Sequence, residues 1–158
     1  MTSVNSGKGK IALVTGGGTG VGKAITTALL GAGYTVVISG RRMDVLEDAA
    51  KALAAETGGT VKPIAADVSD APSVAALFEA IKSEFGRLDL LVNNAGVNVP
   101  NVPMEELTFD HWNAIVGANL TGVFLCTQQA MKLMKTQSPR GGRIINNGSI
   151  SAQTPRPN

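Results

Sequence analysis

Several protein classes depend on features this sequence has little of. It holds one cysteine, Cys126, so no disulfide can close within the chain, and a reducing compartment suits it. It holds one histidine, His111, and no Cys, His, Asp or Glu spacing of the metal-ligand kind, which gives no basis for a metal site. Aromatic residues make up 4% of the chain, which argues against an aromatic-lined binding surface. No apolar run approaches the roughly 18 residues that a membrane-spanning helix needs. The first ten residues, MTSVNSGKGK, are polar and lack the apolar stretch of a secretory signal. The formal net charge is +2 and no basic run exceeds Arg41-Arg42, so neither nucleic acid nor a membrane is the expected partner. A cytoplasmic protein acting on a small molecule is the expectation, and a phosphate-bearing ligand suits the slight basic excess.

What remains is a chain of 158 residues, 44% hydrophobic and 16% charged, long enough for one domain with a sizeable core. Nineteen glycines point to tight turns and close helix–sheet contacts. Short apolar runs alternate with helix-period stretches. Strands are expected at Lys10–Val14, Thr35–Ile38, Val61–Ala65, Leu88–Val92 and Arg143–Asn147. Helices are expected at Gly20–Leu30, at Asp44–Thr57, from Asp70 to Gly86, and as one long element over Phe109–Lys135. Asp70 reads as an N-cap with Pro72 in the first turn, and Gly31, Gly58 and Gly86 read as stops. Strands that are almost continuously apolar are buried on both faces, and right-handed crossovers then give an α/β, Rossmann-like doubly wound parallel sheet with helices on both faces. The expected domain covers residues 10–158, after a loose tail over 1–9. The fifth strand would leave a bare sheet edge, and Thr154–Asn158 is loop-like and closes nothing. The expectation is therefore one part of a larger protein.

Directly after the first strand come Gly16, Gly17, Gly18, Gly20 and Gly22. A tight turn from strand to helix, close approach of a pyrophosphate and close helix–sheet contact each need a residue without Cβ. The helix then offers its free N–H groups and positive dipole end to an anion. Gly22-Lys23 is followed by Ala24, which excludes the P-loop pattern of ATPases. A plain glycine-rich turn is the bland alternative; the strand-then-helix context favours phosphate binding. Past the second strand, where an NAD site places an acid for the ribose 2′-hydroxyl, stand Gly40, Arg41 and Arg42, with Arg41 19 residues after Gly22. A guanidinium there suits the 2′-phosphate of NADP, and NAD is the less favoured cofactor. The competing reading is a solvated pair before a helix.

The spacing Thr15-Gly16-x-x-x-Gly20-x-Gly22 resembles the short-chain dehydrogenase/reductase family. Asn93-Asn94-Ala95-Gly96 is similar to that family's second signature, Trp112 to Asn119 to its helix with an active-site Asn, and Gly142 to Ser149 to its strand ending in the active-site Ser. The four motifs, in order, cover the chain from Lys10 to Ser151. The resemblance implies that Gly16, Gly18, Thr19, Gly20, Val21 and Gly22 hold the phosphates, with Asp67 accepting from the adenine amino group and Val68 lying along the ring. It also implies that Asn94, Ala95 and Gly96 line the cofactor ribose while Asn93 braces the turn. Asn119 would hold a relay water through its backbone carbonyl, freed by a kink, and Ser149, with Ser151 as a nearby competitor, would polarise the substrate carbonyl. Thr19 stands where many NADP-binding members carry a basic residue.

The family's Tyr-x-x-x-Lys pair is missing: nine residues follow Ser149, and the only tyrosine, Tyr34, precedes the second strand. The resemblance implies an NADP-dependent oxidoreductase moving hydride between the cofactor and an alcohol or ketone, homo-oligomeric through the long helix. The alternatives are a catalytically inactive nucleotide-binding chain, or the same fold turned to epimerase or dehydratase chemistry. Trp112, Phe124, Met131 and Met134 read as core or subunit contacts, His111 as a surface or capping residue, and the apolar stretch Val97–Met104 as one wall for an uncharged substrate.

Overall fold

A computed structural model describes residues 6–154, and the parts of the expected tail and terminal loop at 1–5 and 155–158 lie outside the described residues. The chain runs β1 (Ile11–Thr15), α1 (Gly20–Gly31), β2 (Thr35–Gly40), α2 (Met43–Thr57), β3 (Val61–Ala65), α3 (Ala71–Phe85), β4 (Leu90–Asn93), α4 (Phe109–Val116), α5 (Gly122–Thr136) and β5 (Arg143–Asn146). The sheet order is β3-β2-β1-β4-β5 and every pairing is parallel. This is the doubly wound Rossmann arrangement that the alternating pattern implies.

The period-2 alternation of strand side chains sorts the core into two layers. Ala12, Val14, Val36, Ile38, Leu90 and Val92 face α1 and α2, where Leu30, Leu46 and Leu53 meet them. Leu13, Val37 and Leu91 face the other way, against Val74, Leu77, Phe78 and Ile81 of α3 and Cys126, Ala130 and Leu133 of α5. Each fully buried Leu or Ile stabilises the fold by about 1.5–3 kcal/mol. Burial also pushes the Cys126 thiol up to about 11, so it packs as an inert apolar group. Of the two edges, β3 carries Pro63, which an edge strand tolerates, and β5 leaves Ile145 51% exposed.

Several element ends shift by one or two residues from expectation, and three differences have clear physical reasons. The long helix over 109–135 is two helices joined by a π-helical turn at Gly117–Thr121. A Cβ at Gly122 would sit 2.9 Å from Cγ2 of Val68, so α5 starts hard against the loop after β3. The fourth strand starts at Leu90 rather than Leu88. The side-chain amide of Gln137 occupies the place of a neighbouring strand: its Oε1 accepts from the Leu88 N–H at 2.8 Å, and its Nε2 donates to the Leu88 carbonyl at 3.0 Å. At the N-terminus, the Gly7 N–H donates to the Ala32 carbonyl at 2.9 Å and Gly7 is buried beside the Tyr34 ring, so the docked chain begins ahead of Lys10.

Candidate functional site

In an open parallel sheet the crevice forms at the carboxyl ends of the strands where the strand order reverses. Here that point is β1, flanked by β2 on one side and β4 on the other. A crevice of about 600 Å³ opens there. Gly16, Gly18 and Thr19 form its floor, Ser39, Arg41 and Arg42 one wall, Asp67 and Val68 a second, and Ala95 and Gly96 the far end. Nine of the expected cofactor residues therefore share one concavity. Gly20, Val21, Gly22 and Asn94 stand behind or beside the floor, and Asn119 and Ser149 lie outside the crevice wall.

The glycines are there for space and backbone angle. Gly16 and Gly20 take φ of +66° and +50°, in the left-handed region that disfavours side chains. At Gly22 a Cβ would stand 2.0 Å from the Gly16 carbonyl oxygen and 2.6 Å from Nδ2 of Asn94, so the first turn of α1 lies directly on the loop. Thr26, one turn along, donates to the Gly22 carbonyl at 2.9 Å. The N-terminus of α1 differs from those of α3 and α4. Asp70 caps α3 by accepting from the Ser73 N–H, and Thr108 caps α4 by accepting from His111. Thr19 makes no such bond, and no acidic residue lies in the first turn of α1. The first intrahelical bond runs from the Lys23 N–H to the Thr19 carbonyl at 3.0 Å, which leaves the N–H groups of residues 20–22 without a helical acceptor. An uncapped, acid-free helix end over a glycine cradle has the free donors and positive dipole end that suit an anion.

A hydrogen-bonded frame holds the cradle. Thr15 Oγ1 accepts from the N–H groups of Asn94 and Ala95, each at 3.0 Å, and donates to the Val92 carbonyl at 3.4 Å. Asn94 Nδ2 donates to the Thr15 carbonyl at 2.9 Å and more weakly to Gly16 at 3.4 Å. Asn93 Nδ2 donates to Thr127 Oγ1 at 3.1 Å and to Asn146 Oδ1 at 2.9 Å, which ties the end of β4 to α5 and β5. Asn147 Nδ2 donates to Asn94 Oδ1 at 3.0 Å. Thr15, Thr127, Asn146 and Asn147 were not singled out from the sequence for these tasks. The available signal was the pair of Asn-Asn steps at the ends of β4 and β5, which the sheet sets side by side with Asn93 opposite Asn146.

The walls suit a nucleotide. Asp67 Oδ1 accepts from both the N–H and the hydroxyl of Ser69, at 2.9 and 2.6 Å, and leaves Oδ2 for another donor. Those bonds from Ser69, aided by the charge of Arg41 and opposed by slight burial, hold the Asp67 carboxyl below the usual range. Gly40 ends β2 without a side chain, so no carboxylate competes with Arg41 and Arg42 for an anion at this edge. Ser39 is fully buried at the crevice wall and its hydroxyl has no partner, another residue not foreseen from the sequence.

Asn119 sits inside the π-helical turn, and its side chain clamps the loop after β4. Its Oδ1 accepts from the Val97 N–H at 2.9 Å and its Nδ2 donates to the Val97 carbonyl at 3.0 Å. Ser149 follows β5; its Oγ accepts from the Ser151 N–H at 3.1 Å, which leaves the hydroxyl hydrogen free to donate. Ser151 thus supports Ser149 through its backbone. Tyr34 lies at the start of β2, the opposite end of the sheet from the crevice, and packs into the α1–α2 layer. Among the described residues no group of three or more His, Cys, Asp and Glu gathers as a metal site, and no helix is long and apolar enough to cross a membrane.

A parallel sheet in the order β3-β2-β1-β4-β5, with a crevice at its switch point, is a Rossmann-like fold. The chain belongs to the short-chain dehydrogenase family, whose model matches residues 10–158. It is 38% identical to the short chain dehydrogenase/reductase astE of Aspergillus oryzae, over 94% of this chain and 57% of that protein. Its fold matches a metagenomic short-chain oxidoreductase solved in complex with NADP, with a TM-score of 0.87 and 30% identity over 98% of this chain and 67% of that one. It also matches L-sorbose reductase from Gluconobacter frateurii, solved with NADPH and L-sorbose, with a TM-score of 0.88 and 32% identity over 95% of this chain and 56% of that one. The chain spans a little over half the length of the curated relative.

Proposed function

We propose that this chain supplies the dinucleotide site of an oxidoreductase that moves hydride between NADP(H) and an alcohol or ketone. The observation that carries the reading is the uncapped, acid-free end of α1 over a glycine cradle, in the same crevice as Arg41. The N–H groups of Gly20, Val21 and Gly22, with the backbone of Gly16 and Gly18 and the free hydroxyl of Thr19, hold the pyrophosphate. Arg41 and Arg42 take the 2′-phosphate at an edge where Gly40 offers no carboxylate. Asp67 accepts from the adenine amino group and Val68 packs along the ring. Asn94, Ala95 and Gly96 line the second ribose.

The bound nicotinamide supplies the hydride. Ser149 donates a hydrogen bond to the substrate oxygen, and Asn119 holds a relay water at its backbone carbonyl while its side chain fixes the loop at Val97. The proton donor is a Tyr-x-x-x-Lys pair, which residues 1–158 do not contain. That observation favours a second reading for this stretch taken alone, a nucleotide-binding chain without turnover. Phe109, Trp112, Leu120 and Phe124, half or more exposed on α4, the π turn and α5, form the face that a second copy covers, making a homo-oligomer. A lone buried cysteine suits a cytoplasmic protein.

The test is calorimetric titration of the full-length protein with NADPH and NADH, followed by a panel of ketones and alcohols. The expected result is NADPH binding at least tenfold tighter than NADH, the scale of one charge-assisted contact, with turnover on uncharged carbonyls. Tighter NADH binding overturns the NADP assignment, and no binding of either overturns the site. Binding without turnover on any carbonyl overturns the oxidoreductase reading and leaves nucleotide binding alone.

A further inference from the structure

Asn94 braces the phosphate cradle from behind, and it does so in only one of its two amide orientations. With Nδ2 toward the loop it donates to the carbonyls of Thr15 and Gly16. Flipped, it would set Oδ1 against those same two oxygens, and two acceptors face to face repel. The correct orientation turns Oδ1 away from the loop, where it needs a donor. Asn147, the first residue past β5, is that donor, with Nδ2 3.0 Å from Asn94 Oδ1.

Asn147 is itself held in place, because its backbone N–H donates to the Asn93 carbonyl at 2.9 Å as the ladder of β4 and β5 runs out. We propose that Asn147 is a positioning residue for the cofactor cradle, locking the Asn94 amide so that the Thr15–Gly16 turn keeps the shape the pyrophosphate needs. Asn147 stands two residues before Ser149. The contact therefore ties the strand that carries the substrate-facing serine to the loop that carries the phosphates. The inference rests on the reading of the crevice as a dinucleotide site.

A carboxyl at this position gives a sharp test. Protonated, it can donate to Asn94 Oδ1 as the amide does. Ionised, it only accepts, and it favours the flipped Asn94. The dissociation constant for NADP⁺ is measured by calorimetry on the full-length protein, its Asn147→Ala variant and its Asn147→Asp variant, from about pH 3 to pH 8, a span that brackets the ordinary carboxyl value of about 3.9. Each variant is expressed as a ratio to the native protein at the same pH, which cancels the titration of the 2′-phosphate.

Asn147→Ala is expected to weaken binding about two- to tenfold at every pH, the worth of one net hydrogen bond. Asn147→Asp is expected to approach the native value at the acid end and to fall about tenfold or more behind it as the carboxyl ionises. A reversible pH-dependent ratio within one folded variant separates a donor role from a packing defect. A flat ratio for Asn147→Asp, or native affinity in Asn147→Ala, overturns the proposal. If the native protein binds no nicotinamide dinucleotide at all, the dinucleotide reading fails and this inference fails with it.

Discussion

The side chain of Asn119 pairs with the backbone of Val97 as one strand pairs with another, accepting from its N–H at 2.9 Å and donating to its carbonyl at 3.0 Å. Val97 also lines the crevice, so the clamp fixes the loop after β4 where it meets that crevice. Asn119→Leu removes both bonds and leaves two backbone groups to find new partners, at a cost of about 1–3 kcal/mol. In the full-length enzyme kcat is expected to fall about tenfold or more, with faster amide exchange at Val97. Unchanged kcat together with native exchange at Val97 would remove Asn119 from the site.

On the proposed reading, Arg41 and the bare Gly40 set the choice between NADP and NAD. Arg41→Ala is expected to weaken NADPH binding about tenfold or more through loss of a charge-assisted contact while NADH binding stays within about twofold. Gly40→Asp adds a carboxylate where β2 ends and is expected to lower NADPH affinity further and to raise that for NADH. The two dissociation constants, measured side by side, check the assignment; a parallel loss of both cofactors in Arg41→Ala would count against it.

Gly22 and Gly31 lie in the same helix and answer differently to one added methyl. At Gly22 a Cβ meets the Gly16 carbonyl oxygen at 2.0 Å, which is backbone and cannot swing aside. Gly22→Ala is expected to cost about 1–3 kcal/mol and to abolish tight cofactor binding as the cradle shifts. At Gly31 nothing lies within 4 Å, and the residue is helical. Gly31→Ala is expected to stabilise by about 0.4–1 kcal/mol, chiefly by narrowing the unfolded ensemble. Denaturant midpoints of the two variants decide the contrast.

Most of the scaffold was legible because the sequence patterns were direct traces of geometry. Runs such as Val36-Val37-Ile38 are apolar at successive positions because β2 is covered on both faces. The spacing of Gly16, Gly20 and Gly22 records two positive φ angles and one backbone contact. What escaped was whatever depends on which strand ends become neighbours. Thr15 reads as an ordinary strand residue until β4 lies beside β1 and brings the N–H groups of Asn94 and Ala95 to its hydroxyl. The resemblance implied a kink at Asn119, but the residue pattern itself did not show the break at Gly117–Thr121, because a π turn interrupts neither the chain's polarity nor its apolar content. Gln137 stands just past the end of a plausible helix and gave no hint that its amide would stand in for a strand beside Leu88.

Ser39 is a buried hydroxyl without a partner, so the protein without ligand bears the cost of desolvating it. Ser39→Ala is expected to raise the stability of the ligand-free protein by about 1 kcal/mol, seen as a higher melting midpoint. A lower midpoint would mean that the hydroxyl is satisfied after all.

Asp89 ties the start of β4 to β1 at the end of the sheet away from the crevice. Arg87 grips it with Nε on Oδ2 at 2.9 Å and Nη2 on Oδ1 at 2.6 Å, and the Ile11 N–H donates to Oδ2 at 2.9 Å. Burial is the largest single influence on this carboxyl and pushes its pKa up. The hydrogen bonds from Arg87 and Ile11, with the charges of Arg87 and Lys10, together outweigh it and leave the pKa below the ordinary value. A carboxyl depressed in the folded state binds protons more readily once the chain unfolds. Its stabilising contribution is therefore whole above the unfolded value, about 3.9, and is lost as the pH falls from there through the lower folded value. Asp89→Asn is expected to be less stable than the native protein at neutral pH, by about 1.5–3 kcal/mol for a charged hydrogen-bonded pair. The two stabilities should converge in strong acid, where the native carboxyl is also neutral. Melting midpoints of both proteins from pH 7 down to about pH 3 measure the gap, and a gap that stays constant across that range would mean the Arg87–Asp89 charge contributes nothing to holding β4 against β1.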